Sequence, residues 1–378
     1  MTPLVLVPRL HPDDLDAIER ALTAGTPLAL IPPRLPREET ERLRAAIPPA
    51  LPDGVAALLF TSGSTGQRKG VLLDRAALDA SAAASAAVLG WRDDDRWLAC
   101  LSLATVGGLS IVTRSLRAGR RAVLADGGDH FDPASLIRQI ERDRITLVSL
   151  VPTMLARLLD LAWRPPAHLR AVLLGGAPAD TALLARARHI PLRTSYGMTE
   201  TASHVAIDGR ALPGVELAIR RGRIAVRGPV LFRGYLAPHD RLPARDADGW
   251  FVTADRGALD AGGALAVLGR GDGAILTGGA NVDPAVVEAA LTSISGIRAA
   301  CVFGTPDPEW GERVAAAVLV TGGADLPADL AAALRLRLAP HELPRRIAVV
   351  ADLPVGPSGK IDRAETARRA SGLLRPLV

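Results

Sequence analysis

The sequence predicts an α/β protein, with a large layered α/β domain that carries a β-rich subdomain, followed by a small α+β C-terminal domain. Three observations predict it. The chain has 378 residues, too many for one ordinary core and well suited to a large domain plus a smaller one. From about residue 55 to 265, short apolar runs alternate with segments of helical period, the pattern of layered α/β domains. Near Asp272 the texture shifts, and a second set of strands and helices begins that is long enough to close a core of its own.

Along the first part, "VAALLF", "RWLACLSL", "RAVLAD", "ITLVSLVP" and "LRAVLLGG" read as buried strands. Between them "DPASLIRQIERDR" and "PTMLARLLDLAW" repeat apolar residues at helical spacing, and the Ala-rich "AALDASAAASAAVLG" reads as a close-packed helix. The alternation argues for mostly parallel strands. After Tyr196, "VELAIRRGRIAVRGPVLFRGY" and "ALDAGGALAVLGR" read as β-hairpins with Gly-rich turns. In the second part "PAVVEAALTSI" is a helix started by Pro284, followed by the strands "AACVFG" and "RVAAAVLV", the helix "PADLAAALRLRL" and the strand "RIAVVADLP". The expected domains are residues 1–270 and 271–378.

Composition excludes several classes. With 48% hydrophobic and 22% charged residues the chain is an ordinary globular protein. Cys100 and Cys301 lie far apart and share no metal-ligand spacing, so neither a disulfide framework nor a zinc site is expected, and a cytoplasmic setting is the default. The N-terminal apolar run is too short for a signal peptide, and no later run is long enough to cross a bilayer. A net charge of +5 raises nucleic acid as a partner, but the arginines are dispersed and aromatic residues make up only 3%, so none is expected. An acidic small molecule remains compatible with that charge. Whether the protein forms homo-oligomers is left open by the sequence.

Only two of the 45 basic residues are lysines, Lys69 and Lys360. A coding bias toward arginine explains the rest, so the two survivors mark places where a planar five-donor fork does not replace a compact point charge. Lys69 closes "TSGSTGQRKG". This is no Walker loop, because Lys69 follows Arg68 rather than glycine and precedes Gly70 rather than a hydroxyl residue. It is a strand followed by a Gly/Ser/Thr loop. Gly63 and Gly66 let backbone N–H groups turn inward as an anion nest, and Thr61, Ser62, Ser64 and Thr65 add hydroxyl donors.

Four further segments weigh with it: "TSYGMTETAS" at 194–203, "GWFVTADRG" at 249–257, "LGRGDGAILTGGANVDP" at 268–284 and "PVGPSGKIDR" at 354–363. Each alone has an ordinary structural reading, such as a core aromatic for Tyr196 or a solvated charge for Glu200. Together, in this order and spacing, they resemble the adenylate-forming acyl-CoA synthetase superfamily over nearly everything from Ala56 onward. The resemblance implies a two-step reaction. A carboxylate attacks the α-phosphate of ATP, releasing pyrophosphate and leaving an acyl-AMP, which the thiol of coenzyme A then converts to a thioester.

On that resemblance, the 61–70 loop holds the β- and γ-phosphates with Lys69 as counter-charge, and Glu200 ligates Mg²⁺. Tyr196 lies against adenine, with Gly175, Gly176, Ala177 and Gly197 lining the nucleotide site. Thr199 donates to the α-phosphate, Asp255 accepts from the ribose, and Arg270 sits by the ribose or phosphates. Lys360 reaches the α-phosphate and the attacking carboxylate. The family also implies that the small domain is mobile and rotates about Asp272, withdrawing Lys360 and bringing Gly278 and Gly279 to a tunnel for coenzyme A.

Some positions depart from the family pattern. Arg68 stands where proline is usual, Ala254 replaces a glycine, Gly273 replaces a second aspartate, and Thr105 stands nearest the place of a His or aromatic gate. The phosphate loop starts over a hundred residues earlier than in most relatives, so the N-terminal part is expected to be trimmed. Compact members with "VGGLSIVTRSL" and "YGMTETAS" are most similar to the o-succinylbenzoate-CoA ligases of menaquinone biosynthesis, whose substrate is an aromatic dicarboxylate. Small residues at Thr105, Gly107, Gly108, Gly175, Gly176, Ala177, Ala202 and Ser203 leave room for a flat ring. Arg193, His204 and Arg114 are candidates for reading a second carboxylate. Alternatives are another aryl- or acyl-CoA ligase, an adenylation enzyme that loads a carrier protein, and a non-catalytic nucleotide-binding relative.

Overall fold

The computed structural model describes the chain except for residues 34, 36, 62–67, 178, 180, 238–243, 271, 272, 274, 278, 279, 308, 309, 324, 339, 357, 358 and 378, and the side chains of 270, 276, 280, 281, 311 and 323. The chain splits into two compact units. One comprises Met1–Ala177, Arg186–Thr253 and Leu259–Ala266, and the other comprises Pro178–Ala185, Ala254–Ala258 and Val267–Val378.

The first unit is built on two main sheets. Five strands lie in the order Leu4–Leu6, Leu28–Leu30, Val55–Thr61, Lys69–Asp74 and Gly234–Tyr235. The first three are parallel, and the last two each run antiparallel to their inner neighbour. The other sheet has seven strands in the order Arg210–Ala211, Ser203–Ile207, Leu192–Met198, Ala171–Leu174, Leu147–Leu150, Trp97–Ala99 and Val123–Leu124. From Leu192–Met198 onward its pairs are parallel, as the alternating pattern predicts. Trp97, Leu103, Leu109, Val205 and Phe232 share one core with Leu28, Leu30 and Leu59 of the five-stranded sheet.

The Ala-rich helix Arg75–Leu89 buries Ala77, Leu78, Ala82 and Ala84, and small side chains there permit close approach. It ends at Gly90, whose φ of 62° releases the last turn. Arg170 seals that end by donating to the carbonyls of Leu89 (2.6 Å) and Gly90 (2.8 Å), while its Nε donates to the fully buried carboxylate of Asp95 (2.7 Å). Charge-assisted bonds beside that carboxylate offset the cost of burying it and hold its pKa below the usual carboxylate value.

Two strand readings shrink. "RWLACLSL" contributes only Trp97–Ala99 and "RAVLAD" only Val123–Leu124. Beyond Ala99 the chain turns on the Thr105 N–H to Ser102 carbonyl bond (3.0 Å) and enters the helix Val106–Arg117, which the sequence left unassigned. The segment before residue 55 carries the helices Pro12–Ala24 and Arg37–Ala46 besides its two short strands.

The hairpins read from the β-rich texture are present in a sheet ordered Glu216–Arg220, Arg223–Arg227, Phe251–Leu259 and Leu265–Arg270. Arg221 (φ 52°) and Gly222 (φ 76°) form the two-residue turn between the first two, both left-handed, as a strongly twisted hairpin needs.

The second unit holds a sheet in which Ile297–Asp307 and Gly311–Val320 form a long antiparallel pair and Arg346–Val349 joins Gly311–Val320 in parallel. Helix Pro284–Thr292 begins on Asp283, which accepts from the Ala285 N–H (2.9 Å). Its apolar face, Val287 and Leu291, packs with Val302, Val318 and Ile347. No helix among the described residues is long and apolar enough to cross a membrane.

Candidate active site

The segment 192–207 forms a strand, a single 3₁₀ turn and a returning strand. Leu192–Met198 pairs antiparallel with Ser203–Ile207, and the turn Thr199–Thr201 joins them. The hydroxyl of Thr201, fully buried, fixes that turn by donating to the Ser203 carbonyl (2.7 Å), with the Met198 carbonyl 3.0 Å away, and accepting from the Met198 N–H (3.0 Å). The return is tight enough to put Ala202 at φ 52° and Ser203 at φ 135°, backbone that non-glycine residues seldom adopt. Gly197 has no room for a side chain, since a Cβ there would stand 2.1 Å from the Ser203 carbonyl oxygen. Gly175, at the end of Ala171–Leu174, likewise faces Ser195, whose Oγ would lie 2.3 Å from a Cβ. Tyr196 is half-buried against the main core.

Glu200 stands in the turn and is the sole acidic residue of 192–207. One carboxylate oxygen accepts from the Tyr235 hydroxyl at 3.0 Å. Tyr235 also presents its ring to the Lys69 ammonium, 5.5 Å from the ring centroid, within cation–π range. The backbone makes the same junction: the Phe232 N–H donates to the Glu200 carbonyl (2.9 Å), Tyr235 pairs with Val71, and the Leu236 N–H donates to the Gly70 carbonyl (2.7 Å). Lys69 and Glu200, 131 positions apart in the numbering, are thus brought to one phenol. Thr61 lies opposite Lys69 across the strand pair and donates to its carbonyl (3.4 Å). Ser62, Gly63, Ser64, Thr65 and Gly66 lie outside the described residues.

Arg68 does not add loose charge to this place. Its Nε donates to Glu39 of the helix Arg37–Ala46 at 2.8 Å, with side chains only 17% and 27% exposed.

A second polar cluster is buried beside the first. Arg114, in the last turns of Val106–Arg117, is 2% exposed and lies over the Trp97 ring at 5.2 Å. Its Nη2 donates to Ser203 Oγ (2.8 Å) and is 3.3 Å from the ring nitrogens of His204. Its Nε has no hydrogen-bond partner, and no carboxylate among the described residues pairs with it. Burial pushes the Arg114 pKa down to about 9, and burial together with the Arg114 charge holds His204 neutral, well below its usual range. The cluster is a desolvated guanidinium held by a hydroxyl and an imidazole.

Other candidates take different places. Arg193 is bound to Asp208 (2.5 Å) and is 39% exposed, so its charge is already neutralised at the surface. Thr105 caps its helix, accepting from the Gly108 N–H (3.3 Å) and donating to the Ser102 carbonyl (2.8 Å). Gly107 approaches Leu101, and Gly108 approaches the Ser102 carbonyl so closely that a Cβ would stand 2.2 Å from it. Asp255 sits mid-strand in Phe251–Leu259, where the chain stays extended to Leu259.

In the second unit Lys360 is exposed on a turn closed by the Gly356 N–H to Lys360 carbonyl bond (2.7 Å), with Gly359 at φ 76°. Gly269, next to Arg270, has φ 119°, and the Asp283 carboxylate is packed onto it, 2.0 Å from where a Cβ would lie. The Arg270 side chain, Asp272, Gly278 and Gly279 lie outside the described residues.

Tyr235 was not singled out by the motif pattern. One signal pointed to it: the chain has only two tyrosines, Tyr196 and Tyr235, and both stand at this site.

Glu200 suits Mg²⁺ as a lone protein ligand. Mg²⁺ is usually held by one or two carboxylates with phosphate oxygens and water completing the octahedron, and among the described residues there is no cluster of three or more His, Cys, Asp or Glu that would form a dedicated cage.

Several known proteins are similar to this chain. The 2-succinylbenzoate–CoA ligase of Listeria monocytogenes is 36% identical over 334 residues, spanning 84% of this chain and 70% of that protein. Two solved structures of the Bacillus subtilis o-succinylbenzoate CoA synthetase superpose on it. The complex with the acyl-adenylate intermediate has a TM-score of 0.82 at 29% identity, covering 96% of this chain and 87% of the other. The complex with ATP and magnesium ion has a TM-score of 0.74 at 30% identity, covering 93% and 81%. Residues 11–236 match the AMP-binding enzyme family and residues 286–360 its C-terminal domain, so that the Glu200–Tyr235–Lys69 junction falls within the first match and Lys360 closes the second. The chain belongs to the AMP-binding enzyme family.

Proposed function

We propose that this chain is an AMP-forming acid–thiol ligase that converts o-succinylbenzoate to o-succinylbenzoyl-CoA, with ATP, Mg²⁺ and coenzyme A as co-substrates. The reaction class rests on the family and on Lys69, Glu200 and Lys360 in their expected segments. The substrate rests on one observation, the buried Arg114. A guanidinium removed from water without a carboxylate partner costs several kcal/mol, and that cost is offset when an anionic ligand supplies the missing charge. An aromatic dicarboxylate does so with the carboxylate that does not react. Ser203 and neutral His204 orient the guanidinium, and Trp97 walls one face of it.

The chain's own residues divide the first step. Lys69 and the loop at its N-terminal side hold the β- and γ-phosphates, and Thr199 donates to the α-phosphate. Glu200 would hold Mg²⁺, which would supply counter-charge to the phosphates. Tyr196 lies against the adenine beside Gly175, Gly176, Ala177 and Gly197, while Asp255 and Arg270 take the ribose side. Lys360 stabilises charge that develops as the carboxylate oxygen attacks phosphorus and pyrophosphate departs. In the second step the coenzyme A thiol attacks the acyl carbonyl and AMP leaves. A boundary at 270/271, a pivot at Asp272 and a pantetheine path by Gly278 and Gly279 belong to the same proposal. A cytoplasmic setting fits the two cysteines, which are buried free thiols.

The test is mass spectrometry of products with ATP, Mg²⁺, coenzyme A and o-succinylbenzoate, beside benzoate, a medium-chain fatty acid and an amino acid. A thioester of o-succinylbenzoate alone is expected. Turnover of another acid alone discards the substrate, a free acyl-AMP that coenzyme A does not consume points to carrier-protein loading, and no AMP with any acid discards the ligase.

A further inference from the structure

The strand Gly234–Tyr235 crosses between two places that the proposed chemistry loads with opposite charge. Its backbone pairs with Lys69–Asp74 on one side. On the other, the Phe232 N–H holds the Glu200 carbonyl, and Arg245 fixes the same stretch by donating to the carbonyls of Leu231 (3.1 Å) and Phe232 (3.0 Å). Tyr235 is only 9% exposed, and its ring is wedged edge-on against Phe232 at 4.8 Å, which itself meets Phe251 at 5.1 Å. The phenol therefore has little freedom to move. Its hydroxyl donates to Glu200 at 3.0 Å, and its ring lies 5.5 Å from Lys69 Nζ.

We propose that Tyr235 is a positioning residue that sets the Glu200 carboxylate and the Lys69 ammonium in register for a metal-bound triphosphate. The inference rests on the proposed ATP-dependent reading of the same site. A carboxylate has several ways to present its oxygens, and a metal with strict octahedral demands accepts few of them. A hydrogen bond from a wedged phenol selects one. A lysine stem is flexible, and the ring face narrows where its charge rests. One side chain thus orders both groups before ligand arrives, so less ordering remains to be done on binding.

The experiment uses the full chain and calorimetric binding of a non-hydrolysable ATP analogue over a series of Mg²⁺ concentrations, with pyrophosphate release measured alongside. Tyr235→Phe keeps the ring, its packing and its contact with Lys69, and removes only the hydroxyl. The expected result is a rise of about tenfold in the Mg²⁺ concentration needed for half-maximal analogue binding, the size of one lost hydrogen bond to a charged group. Binding without Mg²⁺ should stay as in the wild type. Tyr235→Leu should weaken Mg²⁺-free binding as well, because Lys69 loses its ring. In a Glu200→Gln background, Tyr235→Phe should have no further effect on the Mg²⁺ dependence.

An unchanged Mg²⁺ dependence in Tyr235→Phe, or independent losses that multiply in the double variant, would overturn the role given to Tyr235. A wild-type protein that binds no nucleotide would overturn the ATP-dependent reading with it, and the two failures differ because the first leaves wild-type binding and pyrophosphate release intact.

Discussion

Lys69 opens a six-residue strand, half-buried, with the Tyr235 ring beside its ammonium, whereas Lys360 is exposed on a turn of the other unit bent at Gly359. A charge built into a sheet keeps its place whatever happens elsewhere, which suits a group needed for as long as phosphates are bound. A charge on an exposed turn is placed only by the position of the whole unit that bears it, which suits a group wanted in one half-reaction and unwanted in the next. The two lysines that survive the bias toward arginine are therefore not equivalent, and the difference between them is open to experiment.

The largest expected effect separates them. We predict that Lys360→Ala lowers the rate of acyl-AMP formation by roughly 10² to 10³, the range seen when one donor to a developing charge is removed. Preformed acyl-AMP should still yield thioester with coenzyme A. Lys69→Ala should instead weaken ATP binding, so single-turnover rates over a range of ATP concentrations distinguish a loss of kcat from a rise in KM. Acyl-AMP formation at the normal rate in Lys360→Ala would erase the contrast.

Next in size is Arg114. Arg114→Met is expected to lower the ratio of kcat/KM for o-succinylbenzoate over that for a monocarboxylate of similar shape by about 30-fold or more, because a buried charge pair loses one partner. Competition assays measure that ratio directly, and an unchanged ratio would remove the substrate argument.

The pH dependence follows with its sign. Burial lowers the Arg114 pKa to about 9, so the guanidinium is charged below that value and loses its proton above it. KM for the dicarboxylate is expected to rise as pH climbs past about 9. His204 is held neutral well below its ordinary range and contributes no inflection near neutral pH. A KM that stays flat to pH 10 would show that the guanidinium keeps its proton through that range, and the Arg114→Met ratio then decides whether it reads the substrate.

The smallest effect concerns the strand that carries Lys69. The half-buried Arg68–Glu39 pair ties the end of the loop to the helix Arg37–Ala46. Glu39→Gln should raise KM for ATP about two- to threefold, in keeping with the modest worth of partly exposed ion pairs, with thermal stability changed little.

The sequence carried the site where chemistry is local and lost it where partners come from afar. "YGMTE" names Tyr196, Thr199 and Glu200 within one run, because strand, turn and carboxylate must be neighbours. Tyr235 lies 35 positions beyond Glu200, and only the pairing of Gly234–Tyr235 with Lys69–Asp74 brings it there. Arg114 is 89 positions from Ser203, and nothing in "SIVTRSL" marks its arginine as buried. Arg193 looked comparable because it flanks the motif, yet Asp208 across the strand pair engages it. Thr105 stands nearest the place of the family's His or aromatic gate, and its hydroxyl serves as a helix cap, a use that residue type fills well. The opening strands Leu4–Leu6 and Leu28–Leu30 span three residues each, too short for any periodicity to declare them.

The scarcity of lysine has a practical consequence for labelling. An amine-directed acylating reagent meets only two ε-amines, Lys360 on an exposed turn and Lys69 shielded beside an aromatic ring. Single-site tagging of the C-terminal unit thus requires no engineered handle, and an enzyme that makes reactive acyl anhydrides offers them few amines of its own to modify.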